Sequence, residues 1–234
     1  MKSLSISLLI ATAIMSVQPI KAQTVDEVVS KYVDALGGKD KLSSLKTARM
    51  EGSINVSGTD VGVIVTKLQL VGQRNDISVM GQDGYQIYTP DKGWSFMPFM
   101  GQASPEALKD EEVKAGAAGL DLQGNLFNYK EKGTQVELLG KEKIDSAECY
   151  KVKATLKGGE IVTYFIDTKT NYIVKTVTTQ NISGAIEVVN GYSNYKATDN
   201  GYILPFSYTM ERGEIIYSKI EANVPVDEKI FTSN

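Results

Sequence analysis

From Thr47 almost to its end, the chain repeats one pattern: short runs of alternating apolar and polar residues, separated by Gly, Asn or Asp turns. A period of two sends successive side chains to opposite faces, so each run reads as a strand with one buried face. In the first run, Ala48, Met50, Gly52, Ile54 and Val56 alternate with Arg49, Glu51, Ser53 and Asn55. A second spans 61–70, and its alternation slips between Val65 and Leu68, which predicts a bulge near Thr66-Lys67. Shorter runs at 76–80, 85–88 and 94–99 are joined by Gly81-Gln82-Asp83-Gly84 and Pro90-Asp91-Lys92-Gly93, and further runs fill 135–221. Strands this numerous on short turns predict a mainly β chain with some helix: one large antiparallel curved sheet or half-open barrel.

Two segments break the period. Ahead of the first strand, Thr24 and Glu27 have the spacing of a capping box. Val25, Val28, Val29, Tyr32, Val33 and Leu36 recur on one helical face, and Gly37-Gly38 supplies a left-handed stop, with a second helical turn expected at 39–45. In the middle of the chain, Ser104-Pro105-Glu106 reads as an N-cap, a first helical residue and a dipole-matched acid, predicting a helix to about residue 118 rich in Ala and Gly. No internal repeat or linker divides residues 23–234, which are read as one domain.

Residues 1–22 have the layout of a secretory signal peptide: Lys2, an uncharged apolar stretch over 4–17, then Ile20-Lys21-Ala22 before the cut. Gln23 follows, not a cysteine that could be lipidated, so the expected product is a soluble periplasmic protein. Removal of Lys2 and Lys21 takes the formal charge from −3 to −5, and a mildly acidic surface repels phosphate backbones, which argues against nucleic acid. The remaining chain, about 210 residues, is long enough for one sizeable core. Cys149 is the only cysteine. It cannot form an internal disulfide, and its place in an alternating run reads as a buried thiol.

The chain has no histidine. This removes Ser-His-Asp and Cys-His catalysis and the commonest zinc ligand, and one thiol cannot make a cysteine-rich metal site. No phosphate-cradling glycine loop and no calcium loop appears. Asp110-Glu111-Glu112 is the densest acidic run, but neighbours on a helix point in different directions, so a solvated face is favoured over a catalytic pair. The expectation is a protein that is not an enzyme and uses no metal or cofactor.

What remains is apolar material in an unusual place. Trp94, Phe96, Met97, Phe99 and Met100 crowd together just ahead of the Ala/Gly-rich segment, where Pro98 forbids a ladder bond. Aromatic rings give rigid contact area and methionine adapts to variable shapes. An ordinary core and a ligand-lining cluster both fit this composition.

The order of these features resembles a known family. A capped helix ends in Gly-Gly; strands start at Thr47; Asp83-Gly84-Tyr85 leads to Gly93-Trp94; a helical insertion follows. Then come Asn194-Tyr195-Lys196, Gly201-Tyr202-Ile203-Leu204-Pro205-Phe206 and a closing Val224-Pro225-Val226-Asp227 with Phe231. This resembles the periplasmic outer-membrane lipoprotein-sorting proteins, the LolA/LolB-like family, across the whole mature chain. The resemblance implies a half-open antiparallel barrel closed by helices, with acyl chains of a lipoprotein in its cavity. It also implies an arginine on an early strand that hydrogen-bonds a lid. Arg74 lies near that place, although Asn75 follows it where the family has proline.

The expected function is therefore a monomeric periplasmic carrier of an acylated lipoprotein or free lipid. Ile87, Trp94, Phe96, Phe99, Met100 and Leu108 are expected to line its cavity, with 105–118 as the movable element. An outer-membrane receptor and an inner-membrane release complex are the implied partners. The competing reading is a non-catalytic envelope interaction module on the same scaffold, with a filled lumen and late tyrosines such as Tyr192, Tyr195, Tyr202 and Tyr208 on an exposed face.

Overall fold

The alternating runs assemble into a single antiparallel sheet. In the computed structural model, which describes residues 23–181 and 185–233, two meanders meet edge to edge. The expected leader at 1–22 lies outside the described residues. The first meander comprises β1 (Thr47–Val56), β2 (Thr59–Leu68), β3 (Gly72–Val79), β4 (Gln82–Tyr88), β5 (Gly93–Phe96) and the short β6 (Glu106–Ala107). The second comprises β7 (Gln135–Ile144), β8 (Ala147–Thr155), β9 (Ile161–Asp167), β10 (Ile173–Asn181), β11 (Ala185–Ala197), β12 (Ile203–Met210) and β13 (Gly213–Ala222). Pairing of β1 with β13 joins them, giving the order β6-β5-β4-β3-β2-β1-β13-β12-β11-β10-β9-β8-β7. The sheet is curved but open: β6 and β7 are its two edges.

The first helix, α1 (Val25–Ala35), starts as its sequence predicts. Thr24 N donates to the Glu27 carboxylate and Glu27 N donates to Thr24 Oγ1, each at 3.2 Å. Gly37 and Gly38 end it at φ +106° and +88°, a conformation that only glycine adopts without strain. The short α2 (Lys39–Ser44) follows.

Two expectations need correction. The β1–β2 register runs unbroken from Thr47↔Leu68 to Val56↔Thr59, so there is no bulge at Thr66-Lys67. The alternation slips there because both faces are covered: Val65 and Thr66 are each buried, on opposite sides of the sheet. The irregularity sits instead on the other side of β1, between Glu51 and Gly52. There the backbone comes so close that a Cβ on Gly52 would lie 2.3 Å from Ile216 O.

The central helix also starts later than its cap signal. Glu106 and Ala107 are extended and pair with Ser95 and Trp94. Only then does α3 (Asp110–Ala117) begin, with Lys109 N bonded to the Glu112 carboxylate at 2.9 Å. The exposed edge of β5 captured residues that would otherwise have formed the first helical turn. Similarly, β5 ends at Phe96 and the run to Phe99 finishes as a 3-10 turn, Pro98–Met100, because Pro98 has no N–H to continue the ladder.

Candidate functional site

Register and alternation sort the side chains into two faces. On one face, Val28, Val29, Tyr32 and Leu36 of α1 pack with Leu126 and Phe127 onto the buried side of β8, β9 and β10. The same face continues through Tyr192 and Tyr208, whose rings lie 5.5 Å apart, into a second cluster. That cluster is built from β1, β2, β12 and β13: Ile54, Val63, Val65, Phe206, Ile215, Tyr217 and Ile220. Among the described residues, none from a helix contributes to it. Sheet curvature alone folds these side chains over one another.

The α3 segment lies over the neighbouring strands on this face. A Cβ on Gly116 would fall 2.0 Å from Tyr88 Cδ1, so glycine lets the helix rest directly on that ring. Leu108 and Val113 sit over Gly93 in the same way. Both flanks of α3 are anchored. Upstream, Leu108 N donates to Gly93 O at 2.9 Å beside the β5–β6 ladder. Downstream, Lys67 Nζ donates to Gly119 O at 2.9 Å, Leu70 N donates to Leu120 O at 3.1 Å, and Gln69 bonds both Asp121 and Leu122 N. Between these ties only Val113 of the helix is buried. Lys67 is half-buried, and burial pushes its pKa down to about 8 against the pull of Asp121.

The expected lining residues divide between the faces. Arg74 pairs with Ile87 and Ile87 with Trp94; Asp76 pairs with Tyr85 and Tyr85 with Phe96. Ile87, Trp94, Phe96 and Arg74 therefore share the face turned away from the helices. Leu108 and Phe99 lie on the helix side, Phe99 against Gly84. Met100 is 77% exposed and lines nothing. The six are not brought together.

Arg74 bonds Asp76 at 2.7 Å and the Ile230 carbonyl at 3.3 Å, with its guanidinium 4.3 Å from the Tyr85 ring centre. None of these partners belongs to 105–118. Instead, Arg74 stands in a recess of about 650 Å3 on the outer face, together with Glu51, Asp76, Tyr85, Phe96 and Ser218.

Tyrosine is concentrated on the helix-bearing face. Tyr208 OH donates to Asn190 Oδ1 at 2.9 Å, Tyr195 OH donates to Ile173 O at 2.8 Å, and Asn125 donates to Tyr164 OH at 3.3 Å. Tyr192 shares a 3.4 Å contact with Thr176. Burial holds all of these phenols, and Tyr32, well above the ordinary tyrosine range, and pushes Tyr217 up to about 12. They are neutral hydrogen-bond donors at any physiological pH.

This combination of thirteen antiparallel strands, open edges and helices on one face has counterparts among solved structures. A LolA superfamily protein of Nitrosomonas europaea superposes with a TM-score of 0.57 at 16% identity, covering 90% of this chain and 98% of that one. A DUF1329 family protein of Desulfovibrio piger gives 0.56 at 13% identity, with the same coverage. The chain has the LolA fold. An outer membrane lipoprotein-sorting protein domain of Vibrio parahaemolyticus gives 0.52 at 14% identity, covering 88% and 94%. No protein-family model and no curated protein matches at the level of sequence.

Within the LolA fold, sequence reasoning passed over Lys67 and offered Tyr192, Tyr195 and Tyr208 as members of an exposed face, whereas these three pack against the buried clusters of the helix-bearing face. Lys67 had a visible signal, being a charged residue in phase with Val63 and Val65 on the buried side of β2. The tyrosines had a weaker one, since Tyr192, Tyr208 and Tyr217 each hold an inward position, but tyrosine is common in strands of any orientation.

Proposed function

We propose that this chain is an exported, non-catalytic carrier that shelters the acyl chains of a lipoprotein or lipid on the helix-bearing face of its sheet. The observation that carries this reading is the strand-only cluster beside the lightly packed α3 segment. Among the described residues no helix covers this cluster, whose side chains shield one another, and α3 over the neighbouring strands is tied at both flanks with only Val113 buried between them. Each buried methylene contributes roughly 0.8 kcal/mol, so a chain of about 16 carbons would gain ~12 kcal/mol. An acyl chain does not cross water against that cost. A carrier must also let go, and a small flap hinged at its ends is a cheap way to expose and re-cover the surface. The LolA fold of the Vibrio lipoprotein-sorting domain supports the same assignment, and delivery in the periplasm to an outer-membrane receptor fits the leader expected at 1–22.

Native mass spectrometry of protein released gently from the cell envelope, alongside uptake of a fluorescent fatty acid, tests the reading. A lipid-sized adduct and saturable uptake are expected. Absence of both would sink the carrier assignment.

One observation favours the interaction-module alternative: Ile54, Val63, Val65 and their neighbours already cover one another closely. Met80, at the tip of the β3–β4 hairpin, is 85% exposed and supplies an adaptable contact for a partner. An empty adduct spectrum together with a partner lost on Met80→Lys would select that alternative.

A further inference from the structure

Where the chain enters α1, one polar group is not served by the fold. Gln23 is half-buried there. Its side-chain oxygen, Oε1, accepts from Tyr150 OH at 2.5 Å, and Tyr150 is a buried member of the cluster under α1. Its side-chain nitrogen, Nε2, is buried and has no hydrogen-bond partner among the described residues. Buried polar groups are normally satisfied, and a buried amide N–H without an acceptor destabilises the fold. Gln23 is also the residue that the expected leader cut exposes, because Ile20-Lys21-Ala22 precedes it. Cleavage there leaves an N-terminal glutamine, and an N-terminal glutamine can expel its amide nitrogen.

We infer that Gln23 is a modification site, converted to pyroglutamate once the leader is removed. The inference rests on the reading of the chain as exported and goes beyond its carrier role. The new α-amine attacks the side-chain Cδ. A C–N bond closes the lactam ring, the Cδ–Nε2 bond breaks, and Nε2 departs as ammonia, taking a proton from the amine. No oxidant, reductant or second substrate is consumed. The atom expelled is the one the fold leaves without a partner. The oxygen retained, now a lactam carbonyl, is the one that Tyr150 holds. The terminal charge disappears as well. Left open, the α-amine would be mostly an ammonium at neutral pH. It would stand one residue ahead of the N-cap Thr24, against the positive end of α1. The two acids of the first turn are already engaged, Asp26 with Tyr129 and Lys130, and Glu27 with Thr24 N. The lactam is neutral and has a single N–H to place.

The test starts from the full chain expressed in its own host and recovered from the cell envelope. Intact mass and tandem mass spectrometry of the N-terminal peptide locate the first residue and its chemical state. The chain should begin at residue 23 and weigh one ammonia less than an N-terminal glutamine allows. Edman degradation of the denatured chain should be blocked until a pyroglutamate aminopeptidase is added. A second sample asks whether the fold favours the ring. The mature chain is released with an open Gln23 from a removable N-terminal fusion, and its melting temperature is followed as the ring closes. The melting temperature should rise in step with the loss of ammonia. Gln23→Asn, whose side chain is one carbon too short for this lactam, should stay open to Edman degradation and melt below the closed parent.

A chain that begins at residue 23 with its ammonia intact would overturn the inference and leave the exported carrier standing. A chain that begins elsewhere, or that keeps residues 1–22, would remove the leader reading and this inference with it. A melting temperature that does not rise on closure would make the ring a product of the terminal sequence alone and overturn its assignment to the Tyr150 contact and the buried nitrogen.

Discussion

Gly116 carries more of the flap's geometry than its size suggests. With 2.0 Å between its missing Cβ and the Tyr88 ring, Gly116→Ala must lift α3 or turn the tyrosine. The expected cost is about 1–3 kcal/mol, read as a lower melting temperature, with faster hydrogen exchange confined to 110–117. Lys67 is the residue where pH acts. Its pKa in the folded protein, about 8, lies below its unfolded value near 10.5, so the unfolded state holds more protons between those limits. Stability attributable to Lys67 is therefore present above the unfolded value and lost as pH falls through 8. Denaturant melts of the parent against Lys67→Met from pH 7 to 10 should show a rising slope that the variant lacks. At this scale the sequence was partly legible. The buried thiol of Cys149 and the capping box at Thr24 follow from spacing alone. The lining set did not, because alternation says which residues share a face and is silent about which face the helices take. Register puts Ile87, Trp94 and Phe96 on one face of the sheet, while Leu108 lies over the other.

Among the elements, the C-terminal segment shows how much can depend on one residue after the last strand. Phe231 ends a 3-10 turn, is almost wholly buried, and lies where a Cβ on Gly72 would come within 2.5 Å of its ring. This ring fixes the tail across the start of β3, and the Ile230 carbonyl accepts from Arg74 beside it. Phe231→Ala should cost about 3–5 kcal/mol, and protease sensitivity should appear first beyond residue 222. Element boundaries were legible wherever a local device set them, as at Gly37-Gly38 and Pro98. The start of α3 was not, because a free strand edge outcompeted the signal at Ser104, and an edge exists only after the sheet has formed.

For the whole molecule, the decisive joint is β1 on β13, which pairs residues more than 150 positions apart in sequence. Every strand but β6, the antiparallel pairing and the sheet curvature were readable from period and turns; β6 and the bulge at Glu51-Gly52 were not, since each answers a partner strand and not the local sequence. Gly52→Ala drives a methyl group into Ile216 O and should cost about 3 kcal/mol. Amide exchange should rise together in β1 and β13 while β8, β9 and α1 keep their protection. The two outermost strands, β6 and β7, never meet. In a closed barrel, strand count and stagger set the bore, and a bulkier guest must break ladder bonds to enter. Here the girth depends on small angles between neighbours, shared over the whole sheet. A few degrees at each joint would widen the trough without severing a single ladder, so one scaffold could accommodate tails of different number and bulk.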